Sequence, residues 1–179
     1  HKDGSLPQAE AEYRTALRLQ PLLSNAHTNL GGVLTVKGNL GEALAHCQEG
    51  VRLDPEVPLA HVNLGVVLGS LGRTREAVEA FTRAVRLDPR EADAHYNLGR
   101  ALGELGQTTL AIQHLREAIR LDPGRAAAHT TLGVLLCMEG QLEEGIAQLR
   151  TAVRLDPASR EAAVNLEHAL QLFGNARAR

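Results

Sequence analysis

The strongest constraint on this 179-residue chain is a phrase that returns every 34 residues. AHTNLGGVL at 26–34 comes back as AHVNLGVVL at 60–68, AHYNLGRAL at 94–102 and AHTTLGVLL at 128–136; a worn copy, AAVNLEHAL, stands at 162–170. Proline keeps the beat at Pro21, Pro55, Pro89, Pro123 and Pro157, and glycine keeps the half-beat at Gly4, Gly38, Gly72, Gly106, Gly140 and Gly174. A period of this size means stacked supersecondary units, each burying the apolar face that its neighbour cannot bury alone. Length therefore does not set the domain number here.

Between the marks run segments of about 14 residues with Leu, Val and Ala at helical spacing and many helix formers. Alternation of period two is absent. Glycine at the half-beat supplies a left-handed residue that closes a helix. The residue before each proline is biased out of the helical region, which ends the second segment. The reading is all-α: helix, tight turn, helix, tight turn. Aromatic residues are only 2% of the chain while hydrophobic residues are 44%, so Leu, Val, Ile and Ala must build the core.

This unit resembles the tetratricopeptide repeat (TPR) family, whose 34-residue pattern is W-x2-L-G-x2-Y, then A-x3-F, then P. In the copy at 58–91 the matches are His61, Leu64, Gly65, Leu68, Ala77, Phe81, Ala84 and Pro89. The copy at 24–57 matches through His27, Leu30, Gly31, Leu34, Ala43, Cys47, Gly50 and Pro55. The copy at 92–125 gives His95, Leu98, Gly99, Leu102, Ala111, Leu115, Ala118 and Pro123; that at 126–159 gives His129, Leu132, Gly133, Leu136, Gly145, Leu149, Ala152 and Pro157. The resemblance implies one α-solenoid over 1–179, a right-handed superhelix of antiparallel helix pairs. Residues 1–23 read as the second helix of a truncated repeat (Leu6–Leu19, preceded by a last turn at His1 and Lys2), and 160–179 as a terminal helix over Arg160–Phe173. Glu167 replaces the small glycine of its column, which suits a polar cap; a truncated array would look similar. The column Gly31, Gly65, Gly99 and Gly133 is expected to face the small Ala43, Ala77, Ala111 and Gly145, so that paired helices approach closely.

At about 100° per residue, His27, Leu30, Gly31 and Leu34 share one side of a helix and Asn29 lies on the other. The histidines replace the family's large aromatic and read as packed residues with a polar tip on a backbone partner. Metal binding is not expected of them, because stacked repeats keep ligands too far apart to converge on one ion. The opposite column is Asn29, Asn63, Asn97, Thr131 and Asn165. Asn costs a helix about 0.6 kcal/mol relative to Ala, and its amide offers both donor and acceptor. In TPR superhelices this side lines the concave groove. An asparagine ladder that holds peptide backbone is similar to that of the O-GlcNAc transferase TPR arm. The other reading is that each Asn bonds a neighbouring repeat. Around the column, Asn25, Thr28, Val62, Val66, Tyr96, Arg100, Thr130 and Val134 are expected to line the same surface, which is small and largely uncharged. The Lys and Arg places of the TPR clamp for chaperone C-terminal carboxylates hold other residues, so no chaperone-tail binding is expected.

The net charge of -2 gives no bias toward nucleic acid, and the aromatics for base stacking are missing. The Arg column Arg18, Arg52, Arg86, Arg120 and Arg154 sits where cations complement helix C-termini. No phosphate loop, serine elbow or zinc spacing occurs, so no cofactor, metal or catalysis is expected. No apolar run reaches the roughly 18 residues of a membrane span. Cys47 and Cys137 are too far apart in a linear stack to bond, so reduced thiols are expected, which fits the cytoplasm. The expected function is a non-catalytic scaffold that binds a partner's peptide segment. Two alternatives stand beside it: the substrate-recognition arm of a larger enzyme such as a glycosyltransferase, and a homo-oligomeric scaffold joined through Leu6, Tyr13 and Leu17 of the uncovered first segment.

Overall fold

A computed structural model describes residues 5–177, with side chains through Gly174. His1, Lys2 and Gly4 lie outside the described residues. The helices are α1 (Ser5–Leu19), α2 (Ser24–Val36), α3 (Leu40–Leu53), α4 (Pro58–Ser70), α5 (Thr74–Leu87), α6 (Ala92–Glu104), α7 (Thr108–Leu121), α8 (Ala126–Met138), α9 (Leu142–Leu155) and α10 (Arg160–Arg177). No strand occurs among the described residues. The fold is an all-α TPR solenoid, in two compact units, His1–Asn97 and Leu98–Arg179.

The half-beat turns form as the glycines require. Gly38, Gly72, Gly106 and Gly140 have φ of 80°, 73°, 74° and 79°, in the left-handed region. The residue after each glycine donates its N–H back to the last helical turn: Asn39 to Leu34 O, Arg73 to Leu68 O, Gln107 to Leu102 O and Gln141 to Leu136 O, each 2.9 Å. This is the Schellman pattern, which satisfies carbonyls that the helix end leaves orphaned. Gly174 departs from the expectation. It lies inside α10, which runs on to Arg177. Glycine permits a left-handed turn but does not force one, and no second helix follows among the described residues to draw the chain back.

The proline turns have two fasteners. The Asp before four of the five repeat prolines, Pro21 following Gln20 instead, accepts an N–H two residues on, as in Asp88 Oδ1 from Arg90 at 2.9 Å and Asp122 Oδ1 from Gly124 at 3.2 Å. Then the histidine six residues beyond the proline reaches back. Nε2 of His27, His61, His95 and His129 lies 3.0, 2.8, 3.1 and 3.1 Å from the carbonyls of Pro21, Pro55, Pro89 and Pro123. A carbonyl only accepts, so Nε2 carries the proton. The expected backbone partner of the histidine column is therefore the proline carbonyl.

In the first unit, α2 packs on α3, α4 on α5, α1 on α2, and α4 also meets α2 and α3. Leu30, Leu34, Ala43, Cys47 and Val67 form its buried cluster, with Tyr13 and Leu17 packed against it. Leu6, Tyr13 and Leu17 are thus half-buried rather than uncovered, and the exposed large apolar residue of α1 is Leu19, 76% accessible. In the second unit α8 packs on α7, α9 and α10, and α9 on α10. Ile146, Leu149 and Ala169 form a buried cluster there.

The glycine of the repeated phrase makes room for more than the small residue opposite. A Cβ on Gly65 would stand 2.5 Å from Phe81 Cε1; on Gly99, 2.8 Å from Leu115 Cγ; on Gly133, 2.7 Å from Leu149 Cγ. The residue that needs the space is the large one four positions after the small one. The small residue contributes its backbone: Ala111 O and Gly145 O would lie 3.1 and 2.9 Å from the added atoms of Gly99 and Gly133. Burying Phe81, Leu115 or Leu149 contributes about 1.5–3 kcal/mol each, which is what the missing Cβ protects.

Candidate functional site

The candidate site in each unit is the side of the first helices that turns away from the second helices: α2 and α4 in the first unit, α8 and α10 in the second. The five rungs of the polar column do not behave alike. Asn63 donates Nδ2–H to Thr28 O, 3.0 Å away on α2, and lies over Gly32, where a Cβ would come within 3.1 Å of Nδ2. That rung joins two repeats. Asn97 donates to Asp93 O at 2.9 Å and Thr131 Oγ1 to Ala127 O at 3.0 Å, each within its own helix. Asn29 and Asn165, both half-buried, have no hydrogen-bond partner among the described residues. So the two readings of the column divide by position. One rung bonds a neighbour, two turn to their own helix, and two amides keep their whole donor and acceptor capacity.

The flanking residues also divide. Asn25 is exposed, and Val66, Tyr96, Arg100 and Val134 are half-buried. Arg100 is paired with Glu104 at 2.7 Å. Thr28, Val62 and Thr130 are buried, at 2%, 7% and 6% accessibility, and do not line an open surface. Thr28 is held in by Gly50, where an added Cβ would meet its Oγ1 at 2.6 Å. Thr130 Oγ1 is spent on Ala126 O at 3.1 Å. One position around the wheel from the Asn column already turns the side chain into the α2–α3 or α8–α9 seam, a rotation too fine for 100° steps to resolve. Exposed apolar residues complete the surface: Val36 and Leu59 in the first unit, Met138 and Val164 in the second.

Between α8, α9 and α10 this surface opens into a cavity of about 270 Å³, which Val134 and Asn165 border. Its origin is legible in a column that the repeated phrase passes through: Val33, Val67, Ala101, Leu135, Ala169. In the first unit Val67 is fully buried in the cluster with Cys47. In the second, Ala169 stands over Leu149, the counterpart of Cys47, and leaves space.

Among the described residues no group of three or more His, Cys, Asp or Glu could hold a metal ion, and no helix is long and apolar enough to cross a membrane. Burial pushes the Cys47 thiol up to about 12 and raises Cys137 as well, the opposite of an activated thiolate. Arg52 and Arg120 of the arginine column pair with Glu49 and Glu117 at 2.6 Å, and Arg154 reaches Thr151 Oγ1 at 3.3 Å.

The tetratricopeptide repeat model matches residues 2–58 and 62–126, and a second model of the same description matches 104–170. The chain belongs to the tetratricopeptide repeat family. Among solved structures, it superposes on YrrB, described as a TPR protein with an unusual peptide-binding site, with TM-score 0.76 and 26% identity over 91% of this chain and 84% of that one. MamA gives 0.75 and 24% over 86% and 90%, a likeness of fold. The APC/C hetero-tetramer Cut9–Hcn1 gives 0.88 and 26% over 94% of this chain and 34% of that one. No curated protein matches it in sequence.

Proposed function

We propose that this TPR array is a non-catalytic protein-interaction module that holds an extended peptide segment against the open side of its first helices. The observation that carries the reading is the pair of unspent amides. Asn29 and Asn165 sit in mid-helix, half-buried and without a partner. Each costs its helix about 0.6 kcal/mol relative to Ala and returns nothing to the fold. A carboxamide can give an N–H to a peptide carbonyl and accept a peptide N–H at once. The exposed Val36 and Leu59 near one amide, and Met138 and Val164 near the other, offer apolar contact to side chains on either side of such a backbone. The peptide-binding site named for YrrB supports the reading by likeness.

The test uses peptides selected from a random displayed library. Asn29→Ala and Asn165→Ala are each expected to raise the unfolding free energy by about 0.5 kcal/mol and to weaken the selected peptides by about tenfold, the loss of one or two hydrogen bonds. Calorimetric titration and denaturant melts measure both. Unchanged affinity in both variants rejects the reading.

A further inference from the structure

The cavity of the second unit has more chemistry than an open face. Its floor is Leu149 and Ala169, its walls Val134 and Leu172, and Met138 stands at the lip with 74% of its surface exposed. Asn165, His168 and the Cys137 thiol also border it, and neither Asn165 nor His168 has a partner among the described residues. Among the described residues no Asp, Glu, Lys or Arg lines it.

We propose that this cavity seats one uncharged apolar side chain, of leucine, methionine or phenylalanine size, from a partner polypeptide in extended form. Asn165 holds the backbone of that same residue. The assignment rests on the peptide-holding reading above and adds its selectivity. Size argues for a whole side chain: an apolar cavity of about 150 Å³ accepts benzene, and this one is about 270 Å³. Charge argues against the alternatives. An ammonium seated on Leu149 and Ala169 would lose water and meet no carboxylate among the described residues, and a carboxylate would lose water with only the His168 ring to face it, a cost of several kcal/mol in either case. The free amide of Asn165 supplies the directional part: the apolar walls set which side chain enters, and the amide sets how the chain lies across the opening.

The chain has a single methionine, so its methyl group gives one resonance, placed at the lip. The probes are N-acetyl amino acid N-methylamides of Leu, Phe, Asp and Lys, added to the whole chain carrying a 13C-methyl label on Met138. The Leu and Phe probes are expected to shift that resonance saturably at about millimolar concentration, and the Asp and Lys probes to leave it in place. Ala169→Leu, which fills the cavity, should abolish the Leu response. Leu172→Glu, an exposed change that leaves the core intact, should abolish it too and admit the Lys probe. Equal response to all four probes, no response to any, or a Leu response that survives both variants overturns the assignment. If the probes fail while library peptides still depend on Asn29, the pocket is wrong and the broader reading stands. If the probes respond and no library peptide is selected, the pocket stands and the broader reading falls.

Discussion

Phe81 sets what residue 65 can be. Its ring would lie 2.5 Å from a Cβ on Gly65, while a Cβ on Gly41, on the outer side of α3, would meet nothing within 4 Å. Gly65→Ala is expected to destabilise by about 1–3 kcal/mol, the usual cost of overpacking. Gly41→Ala should stabilise by about 0.5–1 kcal/mol through helix propensity and a less free unfolded chain. Urea melts of the two variants check the pair, and a neutral Gly65→Ala would refute the packing account. At this scale the sequence was readable as to where close approach occurs and less so as to what approaches. The Gly–Ala spacing points at the small residue, because a wheel records directions and not the reach of a ring. Thr28 and Thr130 were misplaced for the same reason, since a small turn about the helix axis exchanges an open side for a seam.

Between elements, the seam of α2 and α3 has a group that responds to pH. His27 Nδ1 lies 2.9 Å from His46 Nδ1. Since His27 gives its Nε2 proton to Pro21, the neutral pair is joined by His46 Nδ1–H donating to His27 Nδ1. Around the pair stand Glu42 on α3, 3.7 Å from His46 Nε2, Glu49 on α3, and Arg14 on α1, which is itself bonded to Glu42. Burial and the neighbouring His27 ring hold His46 below its ordinary range, against a smaller pull upward from Glu42. The unfolded chain therefore takes up this proton more readily than the folded one, and stability rises with pH through the window. The contribution is complete above about pH 6.5 and is lost as pH falls below it. Glu10, held low by its bonds to Lys37 and Arg14, acts in a lower window, losing its contribution only as pH drops below the carboxylate range. Thermal melts between pH 8 and 5.5 are expected to slope for the native chain and to flatten in His46→Gln. Equal slopes would sink the account. The helices themselves were legible from period, glycine and proline. The His27–His46 bond was not, because it joins residues 19 apart on different helices, a spacing that no helical period marks.

Over the whole chain, the helices of each unit pack on the next one or two along the sequence, which is why one period specified so much of the fold. A stack of this kind gains stability as a sum of local terms. The two free cysteines, Cys47 in the first unit and Cys137 in the second, report on each locally. Cys47 is fully buried with its thiol raised to about 12, whereas Cys137 is partly accessible. Alkylation followed by mass spectrometry is expected to mark Cys137 first in the native state. Gly65→Ala should then speed labelling of Cys47 by about tenfold or more and leave Cys137 nearly unchanged. Equal acceleration at both would mean that the chain opens as one cooperative body. The histidine fasteners bear on how such an array is divided. His61 is bonded to Pro55, which the phrase-by-phrase count assigns to the preceding repeat. The glycine turns, by contrast, stand in open space, with nothing within 4 Å of where a Cβ would be. The repeat as written, 24–57 or 58–91, is therefore not the best module to transplant. A graft cut at Pro55 severs a hydrogen bond between donor and host, whereas one cut from Gly38 to Gly72 keeps the clasp whole and leaves its scars in solvent.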